Sequence, residues 1–428
     1  MIVLYDFLFG EKERIKKSCY AAYFLVALLY LVGRAFIYAR VYTDFTNYAG
    51  ETLPVRLLTM TRGLLFYMKT LLAPFSLSLD RMFPVSKSVF EPEVLLSMVI
   101  IAAVAALTVR AYKKSRGVFF SLAFFLITLL PVSNIIPIPY SVVAERYMYI
   151  PSIGFCILLG LGIEKLYSLY GKRASLVCLV AILALYSVLA IRRNADWRDG
   201  VTLWTRTLEQ DPANYRAHYN LGVAYTELGK WKEGLRFLEQ AVRLKPDFAG
   251  AHNNLGAAYD ALGRYGDEIK AYKEAINLNP NFAEPYYNLG AVYFRSGLYD
   301  EAMRFYKNAL NVKPDYAEVH YGLGMIYARL GRYEEEVESY KQAVRVKPSY
   351  ADAYYNLGVA CGELARYEEA AEEFRATIKL KPAYAEAHYN LGMASLMLGD
   401  RDCALKEYEI LKRLDTTLAE RLSGIGER

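Results

Sequence analysis

Histidine, tryptophan and cysteine are scarce, at four, three and five residues in a chain of 428. No two cysteines stand in a CxxC pair, so neither a thiolate zinc site nor a redox-active dithiol is expected. Cys19, Cys156 and Cys178 fall in apolar stretches, and Cys361 and Cys403 in amphipathic ones, where a thiol serves as a small buried apolar group. No motif supports a nucleotide, haem or redox cofactor. The chain start does not read as a signal peptide: the apolar stretch 1–9 is too short, and the charged run 11–17 follows without a small-residue cleavage site. A basic stripe is lacking too. Residues 1–196 have a net charge of +10 and the remainder −4, so positive charge flanks the apolar part and nucleic acid is not an expected partner.

What the chain has in abundance is period. Gly222, Gly256, Gly290, Gly324, Gly358 and Gly392 recur every thirty-four residues, as do Pro212, Pro246, Pro280, Pro314, Pro348 and Pro382. Ala241, Ala275, Ala309 and Ala343 keep the same interval. That period is the signature of tetratricopeptide repeats, each a pair of antiparallel helices. In the repeat 283–316, Gly290 and Tyr293 belong to the first helix and Gly297 ends it. Ala302, Tyr306 and Ala309 line the second helix, and Pro314 opens the turn. Ala365 is the one departure at the helix-ending glycine. Six repeats are read over 215–418, preceded by a half repeat or junction at 197–214 and followed by a tail at 419–428.

The first half alternates differently. Apolar stretches at 20–37, 94–109, 118–136, 153–163 and 176–191 mostly approach the ~20 residues that cross a bilayer core. The stretch 57–73 carries Arg62 and Lys69 and reads as an interfacial or re-entrant helix. Basic residues lie before the first span (Lys12, Arg14, Lys16, Lys17), after the second (Arg110, Lys113, Lys114, Arg116) and after the fourth (Lys165, Lys172, Arg173). Five spans put all three groups in the cytoplasm and the repeats on the extracytoplasmic side. Arg192 and Arg193 are the counter-signal. Residues 1–196 are thus expected to form a transmembrane domain, and the whole chain to be all-α: a multispan helix bundle followed by a repeat solenoid.

Two periodic polar sets bear on function. His218, His252, His320 and His388 share one repeat position with Tyr286 and Tyr354, which argues for packing. Neighbouring repeats also lie about 10 Å apart, too far to share a metal with ligands at about 2 Å, so no metal site is expected. Asn220, Asn254, Asn288, Asn356 and Asn390 form the second set, broken only by Gly322. They lie on the first helix of each repeat, which lines the concave face of such superhelices. A carboxamide donates and accepts, so a row of them can hold the backbone of an extended polypeptide, with Tyr219, Tyr287, Tyr321, Tyr355 and Tyr389 beside it. The alternative is that each Asn satisfies a local hydrogen bond. The array resembles the repeat arm of nucleocytoplasmic O-linked N-acetylglucosamine transferases, in which an Asn ladder holds acceptor polypeptide. A chaperone-tail carboxylate clamp fits poorly, because Arg216, Gly250 and Glu284 stand where successive cations are needed.

The runs Leu130-Pro131-Val132-Ser133-Asn134 and Val142 to Phe155, the junction Asn194-Ala195-Asp196-Trp197-Arg198-Asp199, and Leu71-Leu72-Ala73-Pro74 resemble the transmembrane and tetratricopeptide repeat-containing family. That resemblance implies a multispan glycosyltransferase fold that uses a lipid-phosphate-linked sugar to mannosylate protein hydroxyls outside the cytoplasm. It also implies a catalytic acidic motif in a first extracytoplasmic loop, which is not found here, so the catalytic residues stay unassigned. Asp44, Glu51, Asp80, Glu91, Glu93 and Glu145 are the remaining outer-side acids, none in the family's catalytic context. The chain is expected to be either the carboxyl-terminal part of a longer or split enzyme that recruits acceptor polypeptide, or a non-enzymatic membrane scaffold. Arg146 either contacts the lipid-linked phosphate through its planar fork or pairs with Glu145 to lock a boundary loop. A lipid-linked sugar is the one small-molecule substrate implied, and polypeptide and membrane lipid are the implied partners.

Overall fold

The computed structural model describes residues 52–72, 84–129 and 150–426, and every regular element among them is a helix. The chain divides into two compact units, Met1–Gly229 and Lys230–Arg428. The sequence-predicted span at 20–37 lies outside the described residues, as do Cys19, Asp44, Glu51, Asp80, Glu145 and Arg146.

In the first unit, α1 (Leu53–Leu72), α2 (Pro92–Lys114), α3 (Arg116–Leu129) and α4 (Pro151–Asp196) carry the apolar sequence. Met60 and Tyr67 of α1 bury against Phe125 and Leu129 of α3. The Thr59 hydroxyl, itself bonded to the Val55 carbonyl, accepts the Ser86 amide at 2.9 Å, which ties the loop before α2 to α1. Proline opens α2 where its missing N–H costs nothing, and Lys113 and Lys114 in the last turn complement the helix dipole. Gly154 lets α4 lie directly on α3: a Cβ there would come within 2.7 Å of the Ser121 carbonyl oxygen.

Among the described residues two helices are long and apolar enough to cross a membrane, α2 and α4. The expected span 94–109 lies within α2. The stretch 118–136 is helical through Leu129, as the short apolar α3, and the rest lies outside the described residues. The stretches 153–163 and 176–191 are both in α4, separated by no loop. The 46 residues of α4 are two helical rods meeting at Gly171, whose φ of 79° a side chain would resist. The stretch expected as an interfacial or re-entrant helix is helical through Leu72, within α1, which runs unbroken from Leu53 to Leu72. Many apolar side chains of α2 and α4 point outward, among them Val99, Val109, Leu169, Val177 and Ile191. α5 (Gly200–Gln210), capped by the Asp199 carboxylate on the Thr202 amide, and α6 (Tyr215–Glu227), capped by Asn214 on the Ala217 amide, complete the unit.

The second unit is a run of helix pairs: α7 (Trp231–Leu244), α8 (Ala249–Ala261), α9 (Tyr265–Leu278), α10 (Ala283–Arg295), α11 (Tyr299–Val312), α12 (Ala317–Arg329), α13 (Tyr333–Val346), α14 (Ala351–Glu363), α15 (Tyr367–Leu380), α16 (Ala385–Met397) and α17 (Arg401–Leu414). The periodic glycine is explained by contact. A Cβ at Gly256, Gly290 or Gly324 would meet the ring of Tyr272, Tyr306 or Tyr340 at 2.4 to 2.5 Å, so the second helix of each pair lays its aromatic flat on the first. Ala241, Ala275, Ala309 and Ala343 are fully buried, as is Leu289. Burying one such leucine stabilises by about 2 kcal/mol. The turns close by left-handed residues, and Ala365 adopts the same conformation (φ 55°) that glycine takes in its sister repeats. Residues 416–426, mostly read from sequence as tail, form α18 (Thr416–Gly426), which buries Ala419 and Leu422 against Leu411.

Candidate functional site

The histidine position has a structural role in the turns. Nε2 of His218, His252, His320 and His388 lies 2.8 to 3.1 Å from the carbonyl oxygen of Pro212, Pro246, Pro314 and Pro382 respectively. A carbonyl only accepts, so each Nε2 carries the proton and staples the inter-repeat turn to the first helix that follows. His388 adds a 2.5 Å contact from Nδ1 to the buried Glu407 carboxyl. Among the described residues no group of three or more His, Cys, Asp or Glu is placed to hold a metal. Burial pushes the Cys361 thiol up to about 11, out of the reactive range.

The asparagine row is built differently from a simple display. In the second unit, Nδ2 of Asn288 donates to Asn253 Oδ1 at 3.0 Å, that of Asn356 to the Tyr321 phenol at 3.0 Å, and that of Asn390 to the Tyr355 phenol at 3.1 Å. Each amide reaches the residue thirty-five positions earlier, on the first helix of the preceding repeat. Asn254 is contacted by the Asn253 amide at 3.4 Å. In α6 of the first unit, Asn220 bonds back to the Arg216 carbonyl at 2.8 Å, beside Tyr219. The break at Gly322 has a steric reason, since a Cβ there would meet the Tyr306 ring at 2.7 Å.

Local satisfaction and display therefore coexist. On Asn288, Asn356 and Asn390 one amide hydrogen holds the neighbouring repeat and Oδ1 is unpaired among the described residues; the second hydrogen is unpaired on Asn288 and Asn390, while the Asn356 amide also acts on the Tyr340 phenol. Tyr321 and Tyr355 accept a bond and keep their own O–H to donate. Burial raises both phenols above their ordinary value, as it does Tyr287, so they stay protonated across the physiological range. Tyr287, Tyr321 and Tyr355 are half-buried, and their rings lie 5.4, 5.0 and 5.0 Å from those of Tyr316, Tyr350 and Tyr384. A lysine stands over each of the latter rings: Lys313 at 4.4 Å, Lys347 at 4.7 Å and Lys381 at 5.5 Å. Lys347 and Lys381 also pair with Glu318 at 2.9 Å and Asp352 at 2.7 Å. The result is a fixed aromatic floor with alternating acceptors and donors.

These turn residues escaped the sequence reading, although Lys313-Pro314-Asp315-Tyr316, Lys347-Pro348-Ser349-Tyr350 and Lys381-Pro382-Ala383-Tyr384 signal them by the same period. Asn253 was also missed, standing where other repeats have tyrosine.

In the first unit, the proposed phosphate contact Arg146 lies outside the described residues. Glu91 and Glu93 are both engaged: Glu91 accepts the Lys87 and Ser88 amides at 2.8 and 3.1 Å, and Glu93 pairs with Arg62. An apolar cavity of about 130 Å³ is lined by Met68, Leu71, Val104, Leu122, Phe125 and Phe155.

Profiles of the tetratricopeptide repeat match residues 203–236, 281–349 and 337–376, and profiles described as TPR repeat match 224–263, 261–297 and 363–399. Among curated proteins, the chain is 38% identical over 112 residues to "Protein O-mannosyl-transferase Tmtc2" of Drosophila melanogaster, covering 26% of this chain and 12% of that protein. It is 30% identical over 226 residues to "Protein O-mannosyl-transferase Tmtc3" of the same fly (48% and 24%), and 35% identical over 118 residues to human "Protein O-mannosyl-transferase TMTC4" (27% and 16%). The matches thus span between 12% and 24% of these relatives' own lengths. Similar solved structures include MamA (26% identity, TM-score 0.37, 40% of this chain and 94% of that one). Another is YrrB, described as a TPR protein with an unusual peptide-binding site (22%, TM-score 0.39, 44% and 97%). Residues 203–399 are tetratricopeptide repeats, and the chain is a homologue, over part of its length, of the TMTC protein O-mannosyl-transferases.

Proposed function

We propose that this chain is anchored in a membrane by residues 1–196 and uses its repeats to hold extended polypeptide on the extracytoplasmic side. In that role it is the acceptor-recruiting part of a protein O-mannosyltransferase-like system. The observation that carries the reading is the Asn–Tyr row: three carboxamide oxygens and two phenol hydrogens are free on a surface whose side chains are already fixed by inter-repeat bonds. An extended backbone offers the complementary alternation of N–H and C=O, and pre-set partners bind it without a further ordering cost. The outward-facing apolar side chains of α2 and α4 support the anchor. The partial homology to protein O-mannosyl-transferases supports the choice of acceptor polypeptide and of a lipid-linked sugar as the donor substrate.

The test is binding of unstructured Ser/Thr-rich peptides to the full chain in lipid nanodiscs, followed by fluorescence anisotropy. Alanine at Asn288, Asn356 and Asn390 together should weaken binding at least tenfold, since each lost hydrogen bond costs about 1 kcal/mol. Unchanged affinity would refute the row as the binding surface. Mannose transfer to the bound peptide in native membranes separates an enzyme component from a scaffold.

A further inference from the structure

The small-residue position of the second helix, Ala302 and Ala370 in two repeats, holds glutamate in two others, Glu268 and Glu336. Both are buried, at 1% and 5% exposure. Their surroundings differ in one decisive respect. Glu268 Oε1 receives Arg295 Nη2 at 2.9 Å from α10, and the same guanidinium bonds Asp260 at 2.9 Å. Two repeats on, Glu363 stands where Arg295 stands, and Ala328 where Asp260 stands. Glu336 thus has the buried carboxyl of the pair without its cation. Among the described residues it has no hydrogen-bond or ion-pair partner, and the charged group that acts on it, Glu363 from α14, is of like sign and exposed. Burial first, and Glu363 second, push Glu336 up to about 7.

The site is continuous with the Asn–Tyr row. Tyr340, one turn on from Glu336 along α13, has its ring 5.5 Å from that of Tyr321, whose phenol accepts the Asn356 amide. Glu336 and Asn356 both act on the Tyr340 phenol. We propose that Glu336 and Glu363 form a subsite for a cationic side chain, arginine above all, of the polypeptide held along this face. The guest guanidinium takes the place that Arg295 fills from within the chain at Glu268. This rests on the polypeptide-binding reading and adds to it a charge preference at one repeat. Because a guanidinium requires the ionised carboxylate, the preference strengthens as pH rises through about 7.

The experiment compares two labelled, unstructured peptides that differ at one central residue, arginine or its neutral isostere citrulline, on the full chain in nanodiscs. Glu336→Ala introduces the residue found at Ala302 and Ala370, so the fold tolerates it; Glu363→Arg restores the internal cation of the sister repeat. The wild type is expected to prefer the arginine peptide by about tenfold, as charge-assisted bonds to a buried carboxylate do. In both variants that ratio should fall to about one, with citrulline-peptide affinity unchanged. A ratio of one in the wild type, or an undiminished ratio in both variants while the citrulline peptide still binds, would overturn the subsite and leave the binding face standing. Failure of both peptides to bind the wild type would overturn the face, and the subsite with it.

Discussion

At Gly324 the nearest atom a Cβ would meet is a Tyr340 ring carbon at 2.4 Å, and that ring is wedged between two helices with no free side to retreat to. Gly324→Ala should therefore destabilise by about 1–3 kcal/mol, the usual cost of overpacking, read as a lower thermal midpoint. The opposite change works at Ala365. Its φ of 55° places Cβ against its own carbonyl, a cost of about 1–2 kcal/mol that the sister glycines avoid. Glycine also loses more chain entropy on folding, so Ala365→Gly should stabilise by a net ~0.5–1 kcal/mol in denaturant titration. Both positions were legible as periodic letters. The ring under Gly324 was not, because the sequence places Tyr340 in the second helix without saying which atom of the first it rests on.

Among elements, the helix pairs and their turns follow closely from the period, since glycine, alanine and proline each mark a fixed place in the repeat. The asparagine row was legible as a set, but its division of labour was not. Whether an Nδ2 bonds a neighbouring repeat depends on the register of adjacent first helices, a tertiary quantity. The α13–α14 joint yields a pH prediction of its own. Glu336 is raised from its ordinary 4.5 to about 7 by burial and by Glu363, with the Tyr340 phenol also facing it. A carboxyl whose folded value is raised contributes stability that is complete below about 4.5 and is lost as pH rises through about 7. The thermal midpoint of the wild type should therefore fall more between about pH 5 and 8 than that of Glu336→Ala, and the variant should be the more stable of the two at the upper end. Parallel curves for the two proteins would contradict the assignment.

For the whole molecule, the contrast between the two compact units is one of surface. α2 and α4 turn many large apolar side chains outward, whereas the outward residues of the repeats are mostly polar or charged, with single apolar ones such as Leu298 and Leu330 among them. A membrane-anchored chain predicts that the protein stays with the pelleted membrane after alkaline carbonate extraction. In sealed vesicles whose cytoplasmic face points outward, added protease should leave the repeats intact until detergent is added, if they occupy the extracytoplasmic side. Digestion before detergent would place them in the cytoplasm and reverse the charge-based orientation. The apolar stretches were readable from hydropathy alone. The joining of 153–163 and 176–191 into two rods of one helix at Gly171 was not, because Lys165, Lys172 and Arg173 suggest a loop and only the backbone angle there shows a kink.

The bonds from the Asn288, Asn356 and Asn390 carboxamides to the repeat before also set a length standard. Adjacent helices stack about 10 Å apart, and an extended strand advances about 3.3 Å per residue, so one repeat measures about three residues of a guest chain. From Asn254 to Asn390 the row marks off about a dozen. Under the proposed polypeptide-holding role, such a surface would work as a ruler, indifferent to most of what the guest displays but sensitive to the interval at which it is displayed. Side chains recurring every third residue would meet the same host groups repeatedly, and one inserted residue would throw every later contact out of phase.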